Sequence, residues 1–186
     1  YQNAIIHYKK ALNIQLKVYA QNSNHPDIAA TYNNLGNTYC RDNDYNKASK
    51  YYNKALPIFV EAHAHNTNHP QLAIIYNNLG NMYNEQGSYE EAITHYNKAL
   101  TIRLICYKNN LKHPDIIDIY SNLGISYHGL GLAYKKKENY EKAIVQFKLE
   151  LEMWLKFNKD TPDHPSIAGS YYNLGNAYHC VKDYKN

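Results

Sequence analysis

The stretch Tyr32-Asn33-Asn34-Leu35-Gly36-Asn37 (YNNLGN) returns unchanged at residues 76–81, and looser copies begin at Tyr120 (YSNLGI) and Tyr171 (YYNLGN). A catalytic motif is needed once, so a motif that recurs marks a building unit. His-Pro pairs at His25, His69, His113 and His164 step by 44, 44 and 51 residues, and the Leu-Gly pairs at Leu35, Leu79, Leu123 and Leu174 step identically. A second column, Tyr1, Tyr45, Tyr89, Tyr140 and Tyr184, runs in the same register, with Ala4, Ala48, Ala92 and Ala143 three residues on.

Within a unit the spacing is helical. Tyr32, Leu35, Gly36 and Tyr39 stand at i, i+3, i+4 and i+7, one stripe of an α-helix. After the polar break RDND the stripe resumes with Ala48, Tyr52, Ala55 and Leu56, a second helix. A mid-helix glycine costs about 1 kcal/mol against alanine. Close approach of the partner backbone, with Ala48 and Ala55 as matching small residues, is the expected reason for it. Pro26 suits the first turn of the first helix, where its missing N–H is no loss, and Asp27 suits the positive end of its dipole.

The order aromatic, Leu-Gly, Tyr, Ala, aromatic, Ala resembles the tetratricopeptide repeat, carried here by Tyr32, Leu35, Gly36, Tyr39, Ala48, Tyr52 and Ala55 and by Tyr76, Leu79, Gly80, Tyr83, Ala92, Tyr96 and Ala99. The usual period is about 34 residues. The longer step and the opening HPDIAATYNNLG are most similar to the kinesin light chain branch of that family. The resemblance implies an all-α fold, a right-handed α-solenoid of antiparallel helix pairs. On it the chain divides into an orphan second helix (residues 1–20), repeat 1 (25–68), repeat 2 (69–112), repeat 3 with an insertion (113–163) and a lone first helix (164–186). A chain that opens on Tyr1 reads as a piece of a longer polypeptide.

Two places break the pattern. Leu123 to Tyr140 spans 17 residues where Leu35 to Tyr45 spans 10, and the extra seven read as a duplicated heptad, LGISYHG then LGLAYKK. Seven residues are nearly two turns, so the stripe continues and predicts one long helix from about residue 116 to 137. A kink or loop around Gly129 and Gly131 is the rival. Glu150 stands where the other units have Ala55 and Ala99, which predicts altered packing of that pair. Pro57 predicts a kink rather than a stop, because Ile58, Phe59 and Val60 continue the apolar pattern.

Composition excludes several classes. No apolar run approaches the roughly 20 residues that cross a bilayer, so the chain reads as soluble and cytoplasmic, without membrane partners. Cys40, Cys106 and Cys180 are odd in number and lack metal-ligand spacing. The net charge of +4 is scattered lysine with Arg41 and Arg103 as the two arginines, which argues against nucleic acid. Ten histidines invite a metal, but four are the dispersed His-Pro copies, and a zinc site needs converging ligands. GLGLAY lacks the third glycine and the strand of a dinucleotide loop. The expectation is no enzyme, no metal and no cofactor.

The asparagines need a separate account. Asn33, Asn37 and Cys40 share a face rotated off the core stripe, and the resemblance implies that this face of the first helix lines a concave groove. Asparagine donates and accepts at once, so a row of them suits the backbone of an extended peptide. The candidate groove is Asn33, Asn37, Cys40 and Arg41; Asn77, Asn81 and Asn84; Ser121; and Tyr172, Asn176 and His179, with Arg41 and Lys182 placed to meet a carboxylate. Asn34, Asn78, Asn122 and Asn173 form a complete column of their own, read as inter-repeat hydrogen bonds. The leading expectation is a scaffold that binds a peptide segment of a partner protein. The alternatives are a self-assembling spacer joined head to tail through its orphan helices, and a sensor or recruitment region of a larger signalling enzyme.

Overall fold

The computed structural model describes residues 1–158, 161 and 163–183. Among these residues it contains eight α-helices and no strand: α1 (Gln2–Val18), α2 (Pro26–Arg41), α3 (Tyr45–Ala62), α4 (Pro70–Glu85), α5 (Tyr89–Cys106), α6 (Pro114–Lys136), α7 (Tyr140–Phe157) and α8 (Pro165–Asp183). Each helix packs on its sequence neighbours, so the molecule is an all-α solenoid of the pairs α2–α3, α4–α5 and α6–α7, flanked by α1 and α8. Tyr184 of the tyrosine column and the side chain of Lys182 lie outside the described residues.

The two kinds of turn explain the punctuation of the sequence. At the start of every first helix the repeated spacing delivers the same cap: the Nδ1 of His25, His69, His113 and His164 accepts the backbone N–H two residues on, at 3.2, 3.3, 3.2 and 3.2 Å. Proline follows at the first helical position, where no N–H is needed. Each of these rings is also met by an aromatic from the preceding helix or its end: Tyr19 on His25 at 3.7 Å, His63 on His69 at 3.5 Å and Tyr107 on His113 at 3.4 Å between centroids, and more distantly Trp154 on His164 at 6.0 Å. The His-Pro column is therefore a corner joint.

The first-to-second helix turn is a Schellman motif in each pair. Asp44, Ser88 and Asn139 donate their N–H to the carbonyls of Tyr39, Tyr83 and Tyr134, which ties off otherwise unpaired helix-end groups. The residue before each donor carries the left-handed φ that this requires: Asn43 at 59°, Gly87 at 81° and Glu138 at 58°.

The repeated glycines have a different cause from the one expected. No helix backbone fills the space at Gly36 or Gly80; a tyrosine ring does. A Cβ at Gly36 would stand 2.6 Å from Tyr52 Cε1, and one at Gly80 would stand 2.5 Å from Tyr96 Cε1. Ala48, Ala55, Ala92 and Ala99 are fully buried beside these rings. The small residue on the first helix thus accommodates a large one on the second.

The third unit follows the long-helix reading. α6 runs 23 residues where α2 and α4 run 16, without interruption at Gly129 or Gly131. Pro57 does not end α3, which continues to Ala62 with Ile58 and Phe59 buried. Pro57 is exposed, so the carbonyl that loses its partner lies on the solvent side of the helix.

Candidate functional site

Where α2 and α4 lie side by side they leave a cleft of about 260 Å³ lined by Asn37, Cys40, Arg41, Tyr52, Asn78, Asn81 and Glu85. Four of the predicted groove residues meet there: Asn37, Cys40, Arg41 and Asn81. Arg41 and Glu85 are exposed at its rim. Cys40 is buried at the wall, its thiol 3.9 Å from a Glu85 carboxylate oxygen. Burial, reinforced by that carboxylate, pushes the thiol up to about 11, so Cys40 stays protonated and unreactive at neutral pH.

The asparagines divide by the work they already do. The Asn37 side-chain oxygen accepts from the Tyr52 hydroxyl at 2.7 Å, and Asn81 accepts from Tyr96 at 2.7 Å. These are the tyrosines whose rings cover Gly36 and Gly80, so one residue after each glycine the chain supplies the acceptor that lets a phenol be buried. Burial raises both hydroxyls well above the ordinary tyrosine range, which keeps them as donors. Asn33 is only 8% exposed, and its oxygen accepts from Asn78 of the next unit at 3.0 Å. It belongs to the seam between units rather than to an open wall.

That seam repeats. Asn122 reaches Asn77 and Asn81 at 3.5 and 3.4 Å, long for such bonds, while the Ser126 hydroxyl donates to Asn84 at 2.8 Å. Asn173 approaches His128 at 3.3 Å. Three members of the expected inter-repeat column, Asn78, Asn122 and Asn173, therefore bridge neighbouring first helices. Asn77 and Asn78 also line a second, smaller hollow of about 110 Å³ with Arg103, Asp115 and Asp118. There Arg103 is held by Asp115 at 3.3 Å and by the Tyr107 hydroxyl at 3.1 Å.

The remaining candidates do not converge on the α2–α4 cleft. Ser121 lies half-buried on α6; Tyr172, Asn176 and His179 lie on α8, where Tyr172 is 72% exposed. Glu150, flagged as the odd residue of its column, is buried and bonded to His128 Nδ1 at 3.2 Å. That hydrogen bond raises His128 above its ordinary value. Among the described residues no group of three His, Cys, Asp or Glu side chains is placed to hold a metal ion, and no helix is long and apolar enough to cross a membrane.

Family models for the tetratricopeptide repeat match residues 1–59, 60–104 and 125–152. The chain belongs to the tetratricopeptide repeat family. Its solved neighbours include kinesin light chain-type repeat proteins. Two crystal structures of a kinesin light chain-type protein of Podosopora anserina with nearly identical TPR-like repeats, one of them a point variant, superpose with a TM-score of 0.65 at 20% identity, over 98% of this chain and 79% of theirs. BtubC (BKLC) from P. vanneervenii superposes at 0.56 with 23% identity, over 99% of this chain and 67% of that one. At these identities the likeness concerns the fold. No curated protein matches the sequence. Tetratricopeptide arrays serve as scaffolds for protein–protein interaction, and this array is one of that kind.

Proposed function

We propose that the array binds an extended peptide segment of a partner protein along the exposed face of its first helices, centred on the cleft between α2 and α4. The observation that carries the reading is the set of paired asparagines Asn37 and Asn81, each lining that cleft with its oxygen already engaged by a tyrosine hydroxyl. An amide held by its oxygen keeps both N–H donors in a fixed direction, so the ordering cost is met on folding rather than on binding. Arg41 and Glu85 on the rim offer one positive and one negative contact to the ligand. The function is binding rather than catalysis, and the free thiols of Cys40, Cys106 and Cys180 fit a reducing, cytoplasmic setting.

The experiment is selection from a displayed peptide library on the wild-type array, followed by affinity measurement with an Arg41→Ala, Glu85→Ala double variant. Both side chains are exposed, so thermal stability should be unchanged while the selected peptides weaken at least about tenfold, the loss of one or two polar contacts. Peptides that bind the variant as well as the wild type place the ligand elsewhere and overturn the reading.

A further inference from the structure

α8 repeats the first helix of a pair. Tyr171, Gly175, Asn176 and Tyr178 occupy the positions of Tyr76, Gly80, Asn81 and Tyr83 on α4. In α4 every one of these is answered by α5: Tyr96 covers Gly80 and bonds Asn81, His95 stacks on Tyr83 at 5.3 Å and lies 6.0 Å from Tyr76, and Lys98 sits 5.4 Å over the Tyr76 ring. On α8 no second helix covers the same face among the described residues, although Lys148 of α7 lies 5.7 Å from the Tyr178 ring centre. A Cβ at Gly175 meets nothing within 4 Å, and Tyr171 and Tyr178 are 55% and 44% exposed.

The complementary face is present at the other end of the same chain. α1 carries His7, Tyr8 and Lys10 where α5 carries His95, Tyr96 and Lys98, and where α3 carries Tyr51, Tyr52 and Lys54. His7 and Lys10 are exposed, and so is Ala4, whose counterparts Ala48 and Ala92 are fully buried. The inner side of α1 is already seated on α2 through Ile5, and it is the other side, with Ala4, His7 and Lys10, that is exposed among the described residues.

We propose that α1 of one copy docks on α8 of another as the second helix of the fourth unit, extending the interface that already joins α2 to α3 and α4 to α5. The Tyr8 ring of one copy then lies on Gly175 of the next and its hydroxyl donates to Asn176, His7 stacks on Tyr178, and Lys10 lies over Tyr171. Because the two faces differ, the contact is heterologous and adds copies end to end instead of closing a symmetric pair. The inference is independent of the peptide reading.

Sedimentation equilibrium of the 186-residue chain over a wide concentration range tests it, with the expected result that the mean mass climbs past two copies. Gly175→Ala is the discriminating variant. In a single copy the new Cβ meets nothing and alanine favours the helix, so the melting temperature should hold or rise. At the proposed contact the Cβ would collide with Tyr8 as one at Gly80 would with Tyr96, so association should weaken about tenfold or more. Tyr8→Phe keeps the ring and removes the hydroxyl, and should weaken association less than Gly175→Ala. A single-copy mass at every concentration overturns the proposal, and so does association undiminished by Gly175→Ala.

Discussion

The first two pairs of the array and the third solve one packing problem in two ways. In α2–α3 and α4–α5 a tyrosine ring rests on a glycine and its hydroxyl is taken up by the asparagine that follows, Tyr52 by Asn37 and Tyr96 by Asn81. In α6–α7 the ring is Phe147, it rests on Gly131, and the residue after that glycine is Leu132. Donor and acceptor disappear together. A buried hydroxyl without a partner costs more than the bond itself contributes, so the pair is kept or dropped as a unit. The comparison also identifies which copy of the duplicated heptad does the repeat's ordinary work. Phe147 chooses Gly131, not Gly124, and Asn173 of α8 meets His128, which stands three residues before Gly131 as Asn33 and Asn77 stand three before Gly36 and Gly80. Gly124 in the first copy is covered by Trp154 instead.

The largest expected effect on this comparison comes from the glycines. Gly80→Ala should destabilise the array by about 2 kcal/mol, since the strain of a Cβ against the Tyr96 ring outweighs the helical gain of about 1 kcal/mol; Gly131→Ala should do the same against Phe147, and chemical denaturation measures both. Gly124→Ala, with its nearest contact at 3.0 Å from the Trp154 indole, should be the mildest of the three. Next is a double-mutant cycle in the third pair. Phe147→Tyr alone should cost about 1–3 kcal/mol by burying an unpaired hydroxyl, and adding Leu132→Asn should recover about 1 kcal/mol or more of it. Additive losses would mean that the paired change is coincidence.

A third prediction has the opposite sign. Glu138 holds a left-handed conformation where the second unit has Gly87, so Glu138→Gly should stabilise the protein by about 1 kcal/mol, read as a raised melting temperature. The smallest effect is in pH. His128 is raised by Glu150, so its contribution is complete below the unfolded value of about 6.5 and is lost as pH rises through its folded value. His69 is lowered, first by burial and then by His63, so its contribution is complete above about 6.5 and is lost as pH falls through that value toward its folded one. With the His128 side chain 37% exposed, its share is below about 1 kcal/mol. His128→Gln should flatten the loss of stability on the alkaline side, and His69→Asn, which keeps a cap, the loss on the acid side; melting curves across pH resolve the two.

Much of this architecture was legible in the sequence because it is local or periodic. The helices, the unbroken α6 and the bridging column of Asn78, Asn122 and Asn173 all follow from spacing along one chain. What spacing does not reveal is which group answers a residue from another helix. The glycine column signals close approach, but nothing along the first helix says that the visitor is a ring. Asn33 and Asn37 look equivalent on one face, yet one faces the next unit and the other faces its own second helix. The His-Pro column hid its role because a histidine cap acts through Nδ1 and a stack from the preceding helix, and neither leaves a pattern in composition. The paired change from Tyr and Asn to Phe and Leu was the one cross-helix signal available within the chain.

α6 has a further consequence. It is aligned with α4 by Asn122 and Ser126, and with α7 and α8 by Gly131 and His128, which stand seven residues beyond Gly124 and Ser121, the positions that the register with α4 would use. Everything beyond α6 is thereby displaced along the helix axis by seven residues, about 10 Å at 1.5 Å each. A ladder of identical rungs has translational degeneracy: a ligand shifted by one rung finds the same surroundings. The offset removes that degeneracy and gives the array an origin, a single place from which position along it can be counted.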